Sequence, residues 1–378
     1  MAEEYLKLFD TTAQRLEYED SAEYVEPYVS YTEGDEETHY NKGIDYSKRP
    51  LTFKITSDGV IKFKKSSSRA PTVTLQYKKN DEDWVSFTSS DTAKVINVVA
   101  GDKVMFKGNN AAMGGSFYNR FTETTAGFTL EGNIMSLINS ENFTNLTTLE
   151  NASTFPYLFR SCAGLSDASK LVLPATALTT SCYLCMFLDC SGLVTAPALP
   201  ATTLADNCYQ TMFGGCNKLT AAPELPAATL ANSCYYGMFS SCTGLTTAPA
   251  LPATTLAQSC YSQMFSGCTS LTTAPALPAT TLAQSCYNYM FYGCTSLTTA
   301  PELPATTLTG SCYNYMFNGC TNLNYIKAMF TTTPSSTYTS NWVNGVAATG
   351  TFVKNSAATW NVSGVHGIPN GWTTITAS

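Results

Sequence analysis

Cysteine is the residue type in this chain whose number and spacing could support chemistry. The chain has 14 cysteines, and most of them form pairs with seven residues between the two members. Such thiols can pack as small apolar groups, form disulfides or bind a metal ion. We expect unpaired core thiols because the start of the chain lacks the basic flank and apolar run of a secretory signal. Disulfides and a metal site remain the alternatives. The pairs are Cys182/Cys190, Cys208/Cys216, Cys234/Cys242, Cys260/Cys268, Cys286/Cys294 and Cys312/Cys320.

Other catalytic patterns are weak. Cys182 and Cys185 have the C-x-x-C spacing of redox sites, but other copies of the same segment place unrelated residues such as Thr211 where Cys185 stands. His39 and His366 have no sequence neighbours that complete a metal site or a catalytic triad. The sequence contains neither a glycine-rich phosphate loop nor a nucleophile elbow. It therefore predicts no catalytic residue, no metal site and no cofactor.

The cysteine pairs belong to a 26-residue repeat. Residues 251–276 and 277–302 differ at four positions, and a degenerate first copy lies near Leu158-Phe159. A fixed period over this length is typical of a solenoid, whose units bury their apolar faces against their neighbours. The sequence therefore predicts a solenoid at residues 157–323. A Met-Phe pair marks each full copy, at Met186, Met212, Met238, Met264, Met290 and Met316.

Within one copy, the apolar side chains are expected to point inward. The segment CYSQMFSGC predicts one or two helical turns, because Cys260, Met264 and Phe265 would share one helix face. A short strand is expected at residues 272–274, ended by the prolines that follow. The inward set is expected to be Leu251, Leu256, Cys260, Met264, Phe265, Cys268 and Leu271.

Four further segments surround the repeats. Residues 1–43 are acidic and rich in tyrosine, and we expect an attachment arm there, with a solvated tail as the alternative. Residues 44–132 alternate apolar and polar side chains in short runs, which predicts an antiparallel β-sandwich. Residues 133–156 are expected to cap the first repeat. Residues 324–378 predict a small β cap, in which four aromatic residues cover the last repeat: Trp342, Phe352, Trp360 and Trp372.

The charge of the chain limits the classes of partner. The formal net charge is −7, which argues against nucleic acid and anionic membranes because such partners need a basic patch. No segment is apolar and long enough to span a membrane. A neutral surface rich in hydroxyl and amide groups suits glycan or protein partners. Residues 171–320 carry few ionisable acidic or basic side chains: Asp189, Asp206, Lys218, Glu224 and Glu302.

Binding residues are predicted where otherwise identical copies differ, because variable positions should face solvent. These positions place tyrosines beside amides, and tyrosine offers a rigid ring and one hydrogen-bonding hydroxyl at low entropic cost. Sequence drift on an unconstrained surface, or packing against a neighbouring subunit, is the alternative. The candidate ligand-binding residues are Tyr236, Gln263, Tyr289, Tyr292, Tyr315 and Asn318.

The order Met-Phe-x-Gly-Cys-Thr-x-Leu followed by Leu-Pro resembles the bacterial BspA-type leucine-rich repeat. The chain departs from that pattern by Met before Phe, a second cysteine and a longer unit. The resemblance implies a mainly β protein in which an Ig-like antiparallel sandwich precedes a right-handed leucine-rich-repeat-like solenoid and a β cap. It also implies an adhesive role.

The whole layout is similar to structural proteins of gut-bacterial bacteriophages and prophages. It comprises the acidic leader, DYSKRPLTF, NIMSLIN, the repeats and the GTFVKN…GIPNGWT ending. This resemblance implies a non-enzymatic virion protein, as a fibre or a tail or capsid decoration, assembled in the host cytoplasm. Its implied partners are other virion proteins through residues 1–132 and a host-surface glycan or protein through the solenoid. A homo-oligomer is left open. The alternative is a BspA-like adhesin on a bacterial cell surface.

Overall fold

The protein is mainly β, with short 3-10 turns as its helical segments in the described part. The structure, a computed structural model, describes residues 29–33, 36–40 and 44–377, the first two as backbone strands. The 3-10 turns are Tyr46–Lys48, Ile134–Leu137 and Phe143–Asn145. The strands are β1 (Val29–Glu33), β2 (Glu36–Tyr40), β3 (Leu51–Ser57), β4 (Gly59–Lys65), β5 (Thr74–Lys79), β6 (Val85–Thr88), β7 (Lys94–Val98), β8 (Lys103–Gly108), β9 (Asn119–Phe121), β10 (Gly127–Asn133), β11 (Leu165–Val172), β12 (Tyr325–Ala328), β13 (Thr351–Lys354) and β14 (Thr373–Thr376).

Two sheets form the N-terminal part of the fold. One has the strand order β11-β10-β3-β8-β5-β6, and the other has the order β7-β4-β9. All neighbours in them are antiparallel except β10 and β11. Phenylalanines from both sheets meet, with the Phe53 ring of β3 lying 4.7 Å from the Phe121 ring of β9. The alternation of apolar and polar residues that predicted these strands therefore places the apolar side chains between the two sheets.

The predicted attachment arm lies mostly outside the described residues. Within residues 1–43, strands β1 and β2 pair antiparallel with each other. They join none of the other described sheets. An isolated two-stranded hairpin is marginally stable in water. The side chains of residues 1–43, including that of His39, lie outside the described part.

Stacked coils follow the two sheets, and we call residues 153–377 the coil stack. Residues one repeat apart are neighbours, as in the parallel bridges of Thr247 to Ala221 and to Thr273. The strand expected at residues 272–274 is therefore a single bridged residue. Prolines restrict it, because Pro275 has no amide hydrogen to donate to a ladder.

Each copy contains a ten-residue turn run, residues 285–294 in the fifth copy. The amides of Tyr287, Tyr289 and Phe291 donate to carbonyls of the next copy at 2.8–3.1 Å. The amides between them donate three residues back within the same copy, as from Met290 to the Tyr287 carbonyl at 3.1 Å. Every second amide of the turn run therefore donates to the next coil, and the amides between them donate within their own coil. The turn run is therefore a series of tight turns, and the prediction of a helical segment was wrong.

Left-handed backbone recurs at every fourth residue of the turn run. In the fifth copy, φ is 56° at Ser285, 57° at Tyr289 and 69° at Gly293. Side chains other than glycine adopt this conformation at a cost of about 1–2 kcal/mol per residue. The turn run thus buries two side chains, turns the next two outward and repeats. A four-residue period of this kind resembles helical spacing in the sequence.

A pair of glycine substitutions tests this backbone geometry. We expect Gly293→Ala to lower the free energy of unfolding by about 1–2 kcal/mol, because φ is positive there while a Cβ would meet nothing within 4 Å. Gly310 has equally open surroundings and no positive φ. Gly310→Ala should raise stability by about 0.4–1 kcal/mol, because alanine restricts the unfolded chain. Urea unfolding of both variants measures the difference, and equal shifts would contradict it.

The N-terminal sheets and the coil stack share one hydrophobic core. The Phe121 amide of β9 donates to the Leu158 carbonyl of the first coil at 2.8 Å, and the Phe121 and Phe159 rings stack at 5.6 Å. Strand β10 pairs with β11 of the coil stack in parallel. Residues 133–156, the predicted cap, contribute buried Ile134 and Leu137 to the same core.

The stack continues beyond Leu323 through residues of the predicted C-terminal cap. Strands β12, β13 and β14 form a parallel sheet in that order. The Phe317 amide donates to the Trp342 carbonyl at 2.8 Å, which repeats the hydrogen bond of the preceding coils. Trp342 is fully buried, and its indole nitrogen donates to the Gly367 carbonyl at 2.9 Å. The aromatic residues expected to cover the last repeat are all buried: Trp342, Phe352, Trp360 and Trp372.

Candidate functional site

Two columns of aromatic rings fill the interior and position the outer surface of the coil stack. Neighbouring rings lie 5.8–5.9 Å apart in the tyrosine column and 5.4–5.8 Å apart in the phenylalanine column. The sequence analysis placed the phenylalanines inside and missed the tyrosines, which follow the first cysteine of each copy. The columns are Tyr183, Tyr209, Tyr235, Tyr261, Tyr287 and Tyr313, and Phe159, Phe187, Phe213, Phe239, Phe265, Phe291 and Phe317.

The cysteines form two further interior columns, and all 14 are buried and free. The thiol at the second position of each pair donates to a phenylalanine carbonyl of the preceding copy, as from Cys268 to Phe239 at 3.1 Å. The first position is different, because the Cys260 thiol donates to no carbonyl in the described part of the chain, and among these first cysteines only Cys312 donates, to the Tyr338 carbonyl at 3.9 Å. The prediction that the thiols pack in the core is confirmed. The hydrogen bond from the second thiol of each pair to a backbone carbonyl was not predicted.

Burial makes these thiols poor nucleophiles. Desolvation raises the pKa of Cys162, Cys242 and Cys320 to about 12. In the C-x-x-C segment, desolvation raises the pKa of Cys185 to about 11 and that of Cys182 still further. A reactive cysteine needs its pKa lowered so that thiolate forms near neutral pH. This segment has the opposite electrostatics.

His366, the histidine whose side chain lies in the described part, makes hydrogen bonds with Asn341 and Thr339. The amide of Asn341 donates to Nδ1 of His366 at 3.2 Å, and the His366 carbonyl accepts from the Thr339 hydroxyl at 2.8 Å. These bonds fix the last coils against each other. Within the described residues, no group of three or more histidine, cysteine or acidic side chains could hold a metal ion. No helix in that part has the length and hydropathy to cross a membrane.

The six predicted binding residues lie on the turn runs, and three of them form an aromatic group. The Tyr289 and Tyr315 rings stack 4.4 Å apart at an angle of 8°. The Tyr292 ring lies 5.5 Å from that of Tyr289, at an angle of 48°, and this residue is 41% exposed. Stacking occupies one face of Tyr289 and one of Tyr315, so Tyr292 offers the most open ring.

Hydrogen bonds connect the other predicted residues along the same surface. The Gln263 side-chain amide donates to the Tyr236 hydroxyl at 2.6 Å. The Asn318 side-chain amide donates to the Asn341 carbonyl at 3.2 Å. Burial raises the pKa of Tyr289, and the hydroxyls of Tyr315, Tyr292 and Tyr236 raise it further. The structure thus brings five of the six residues close to a neighbour in the set, and Asn318 close to Asn341. We call Tyr236, Gln263, Tyr289, Tyr292, Tyr315, Asn318 and Asn341 the tyrosine–amide face.

Asn341 is the member of this face that the sequence analysis missed. Its side-chain amide donates to the Tyr315 hydroxyl at 3.2 Å, and this bond is the first cause of a lowered Tyr315 pKa. Asn341 stands one full period after Tyr315, and Trp342 one full period after Met316. The 26-residue period alone could have found it, although the motif of the repeat no longer holds there.

The geometry favours recognition of an uncharged or weakly charged group. The tyrosine–amide face carries hydroxyls, amides and ring edges, and it contains no acidic or basic residue. Tyrosine combines an apolar ring with a hydrogen-bonding end, and amides both donate and accept. Such a face can bind hydroxyl-rich ligands or a polar protein surface.

Comparisons with known proteins find no likeness to report. No family model matches the chain. No curated protein matches it, and no solved structure matches it. The described part of the fold is mainly β.

Proposed function

We propose that this chain is a non-enzymatic structural protein of a bacteriophage particle, as a fibre or a tail or capsid decoration. In this proposal, residues 1–132 attach it to other virion proteins, and the repeats adhere to a glycan or protein on the host surface. The two N-terminal sheets would be an Ig-like sandwich. The coil stack would be a right-handed leucine-rich-repeat-like solenoid ending in the cap at residues 324–378.

One observation carries the proposal, namely that a single core runs from the N-terminal sheets to the last coil. The phenylalanine column begins at Phe121 in β9 and continues through the first coil at Phe159. Its last member, Phe317, contacts Trp342. A shared core of this kind makes the coil stack a stiff projection from the N-terminal sheets. A stiff projection with a varied outer face is suited to display.

The outer chemistry supports adhesion rather than turnover. The side chains that differ between copies, including Gln263, Tyr289 and Tyr315, lie side by side along the stack. The thiols pack inside with raised pKa values, and Nδ1 of His366 accepts the backbone amide of Asn341. The side chains that could react therefore have structural contacts instead. Surface recognition needs only the outer face, whereas a hydrolase would need a positioned acid and base.

Purified particles test the proposal. We expect the protein to be detected by mass spectrometry in density-purified phage particles at a fixed ratio to the major capsid protein. Soluble host lysate taken through the same gradient serves as the control. Antibody against the repeats should label the particles, and the labelled position would separate a fibre from a capsid decoration. Absence of the protein from purified particles would exclude a virion role.

A different location would favour the alternative. Detection in the cell envelope of a bacterium that releases no particles would indicate a BspA-like surface adhesin. In either setting, the triple variant Tyr289→Ala, Tyr292→Ala and Tyr315→Ala should weaken adhesion to cells about tenfold or more, because it removes the open ring and the stacked pair. Thr298→Ala, exposed in the same region, is the matched control and should adhere as the wild type does.

A further inference from the structure

Two arginines lie where the N-terminal sheets meet the first coil. Arg120 is in β9, and its guanidinium lies 5.9 Å from the centre of the Tyr118 ring. Arg160 is in the first coil, and its guanidinium lies 5.7 Å from the centre of the Tyr157 ring. The two tyrosine rings stack on each other at 4.0 Å and 16°. One aromatic pair therefore holds both cations at the junction.

Within the described residues, neither guanidinium donates a hydrogen bond to a protein acceptor, and both side chains are half-buried. The Nε atoms of Arg120 and Arg160 are screened from solvent and have no hydrogen-bond partner in the described part of the chain. The nearest carboxylate oxygen to Arg160 Nε is that of Asp189, at 4.0 Å, which is an ion pair without a hydrogen bond. Because the Nε donors are screened, a ligand can reach only the outer N–H groups of each guanidinium. Hydrogen bonds from two such charged groups at one junction favour an anionic ligand.

The stacking explains what kind of anion would fit. A guanidinium that lies against an aromatic ring keeps its in-plane N–H groups free. Those groups match the two oxygens of a carboxylate in a bidentate arrangement. The cationic side chains nearby are already used, since Lys62 and Lys64 both contact the Glu123 carboxylate, at 3.4 Å and 2.6 Å. Arg120 has no such carboxylate contact among the described residues, and Arg160 reaches Asp189 only at 4.0 Å, so both are less engaged than the two lysines.

A row of equivalent positions leads from Arg160 along the coil stack to the tyrosine–amide face. The hydrogen bonds between coils place Arg160 in one row with uncharged residues of the following copies, in which Tyr292 is the fifth and is followed by Asn318. Five steps of about 4.8 Å give a path on the order of 24 Å. The row is Arg160, Leu188, Gly214, Ser240, Ser266 and Tyr292. An extended polymer can lie on such a row, with a charged group at one end and hydroxyl contacts at the other.

We propose that Arg120 and Arg160 bind the carboxylates of an acidic polysaccharide whose chain follows this row toward Tyr292. A hydroxyl-rich chain fits the serines, the amides and the open Tyr292 ring better than an acidic peptide does, because the row offers few apolar pockets for peptide side chains. The inference rests on the proposed adhesive role for its setting. Its test uses purified protein and soluble polymers, so it can fail or succeed independently of where the protein is located.

Polymers that differ in charge test the proposal. We expect the full chain to bind polygalacturonate and not neutral dextran, with affinity falling as salt rises because exposed charges are screened. The double variant Arg120→Gln and Arg160→Gln should lose about tenfold or more in affinity, since each lost pair is a charge-assisted hydrogen bond. The matched control is Lys48→Gln with Lys218→Gln, which removes two exposed positive charges elsewhere. It should bind as the wild type does.

The remaining polymers and controls of this experiment decide which class of ligand the protein binds. Equal binding to dextran, equal loss in the lysine control, or no binding of polygalacturonate would overturn the proposal. Preference for dextran sulfate would overturn the carboxylate assignment, and preference for polyglutamate would overturn the polysaccharide. A measurement on the wild type avoids any folding defect of the variants. Polygalacturonate should protect Arg120 and Arg160 from phenylglyoxal, mapped by mass spectrometry, and unprotected arginines would also overturn it.

Discussion

Replacing Phe239 with alanine is expected to lower the free energy of unfolding by about 3–5 kcal/mol. Phe239 is fully buried and lies between the rings of Phe213 at 5.7 Å and Phe265 at 5.8 Å. Alanine removes both stacking contacts and leaves a cavity that neighbouring coils cannot close, because the hydrogen bonds between coils hold their spacing. The loss should appear in urea unfolding followed by tyrosine fluorescence.

The same variant also tests whether the coils support one another. In a stack, each unit is stabilised by its neighbours, so damage at one coil should weaken the adjacent coils. We expect hydrogen exchange to increase in the turn runs at residues 207–216, 233–242 and 259–268. Thr243→Ala, exposed in the same copy, is the control and should change stability by no more than about 0.5 kcal/mol. Equal effects of the two variants would contradict a core built on the phenylalanine column.

The sequence could predict elements whose pattern has a single interpretation. The alternation of apolar and polar residues within 44–132 predicted short strands, and β3 at Leu51–Ser57 is one of them. The inward position of Cys260, Met264 and Phe265 was also correct, because invariant apolar positions of a repeat must meet their equivalents. Leu256, expected inside, is only partly buried. Its equivalents Leu230 and Leu282 in the neighbouring copies are buried, and the structure gives no reason for the difference.

The turn run could not be assigned from apolar spacing alone. Two buried residues followed by two outward residues give a period of four, which is close to the period of a helix. The distinguishing signal was the backbone requirement. Gly293 recurs as glycine or a small polar residue in most copies, and Ser285 recurs as serine or asparagine. Glycine, and less often asparagine and aspartate, accept left-handed backbone more readily than other residues do, and a helix interior has no need of them.

The structure has Tyr292 exposed and Tyr289 and Tyr315 half-buried. Variation between copies predicted only that all three side chains face solvent. It could not show that the Tyr289 and Tyr315 rings would cover each other, because contact between coils depends on the rise of the stack. The arginine pair was not found either, since Arg120 and Arg160 lie in different segments that meet only through the pairing of β9 with the first coil.

The two cysteine columns differ in a way that a conservative substitution can reveal. Cys260 and Cys268 belong to the same copy and are both fully buried. The Cys268 thiol donates to the Phe239 carbonyl at 3.1 Å, and that carbonyl also accepts the Cys242 amide at 3.1 Å. The Cys260 thiol has no such bond among the described residues. A hydroxyl placed at these two positions therefore meets different surroundings.

We expect Cys260→Ser to lower the free energy of unfolding by about 1–3 kcal/mol, because burying a hydroxyl without an acceptor costs that much. Cys268→Ser should cost less than about 1 kcal/mol, since the new hydroxyl can donate to the Phe239 carbonyl. Urea unfolding under reducing conditions measures both variants, and Cys268→Ala shows how much the hydrogen bond contributes. If the thiols served only as apolar filling, the two serine variants would lose the same stability, and the carbonyl contact would have no energetic role.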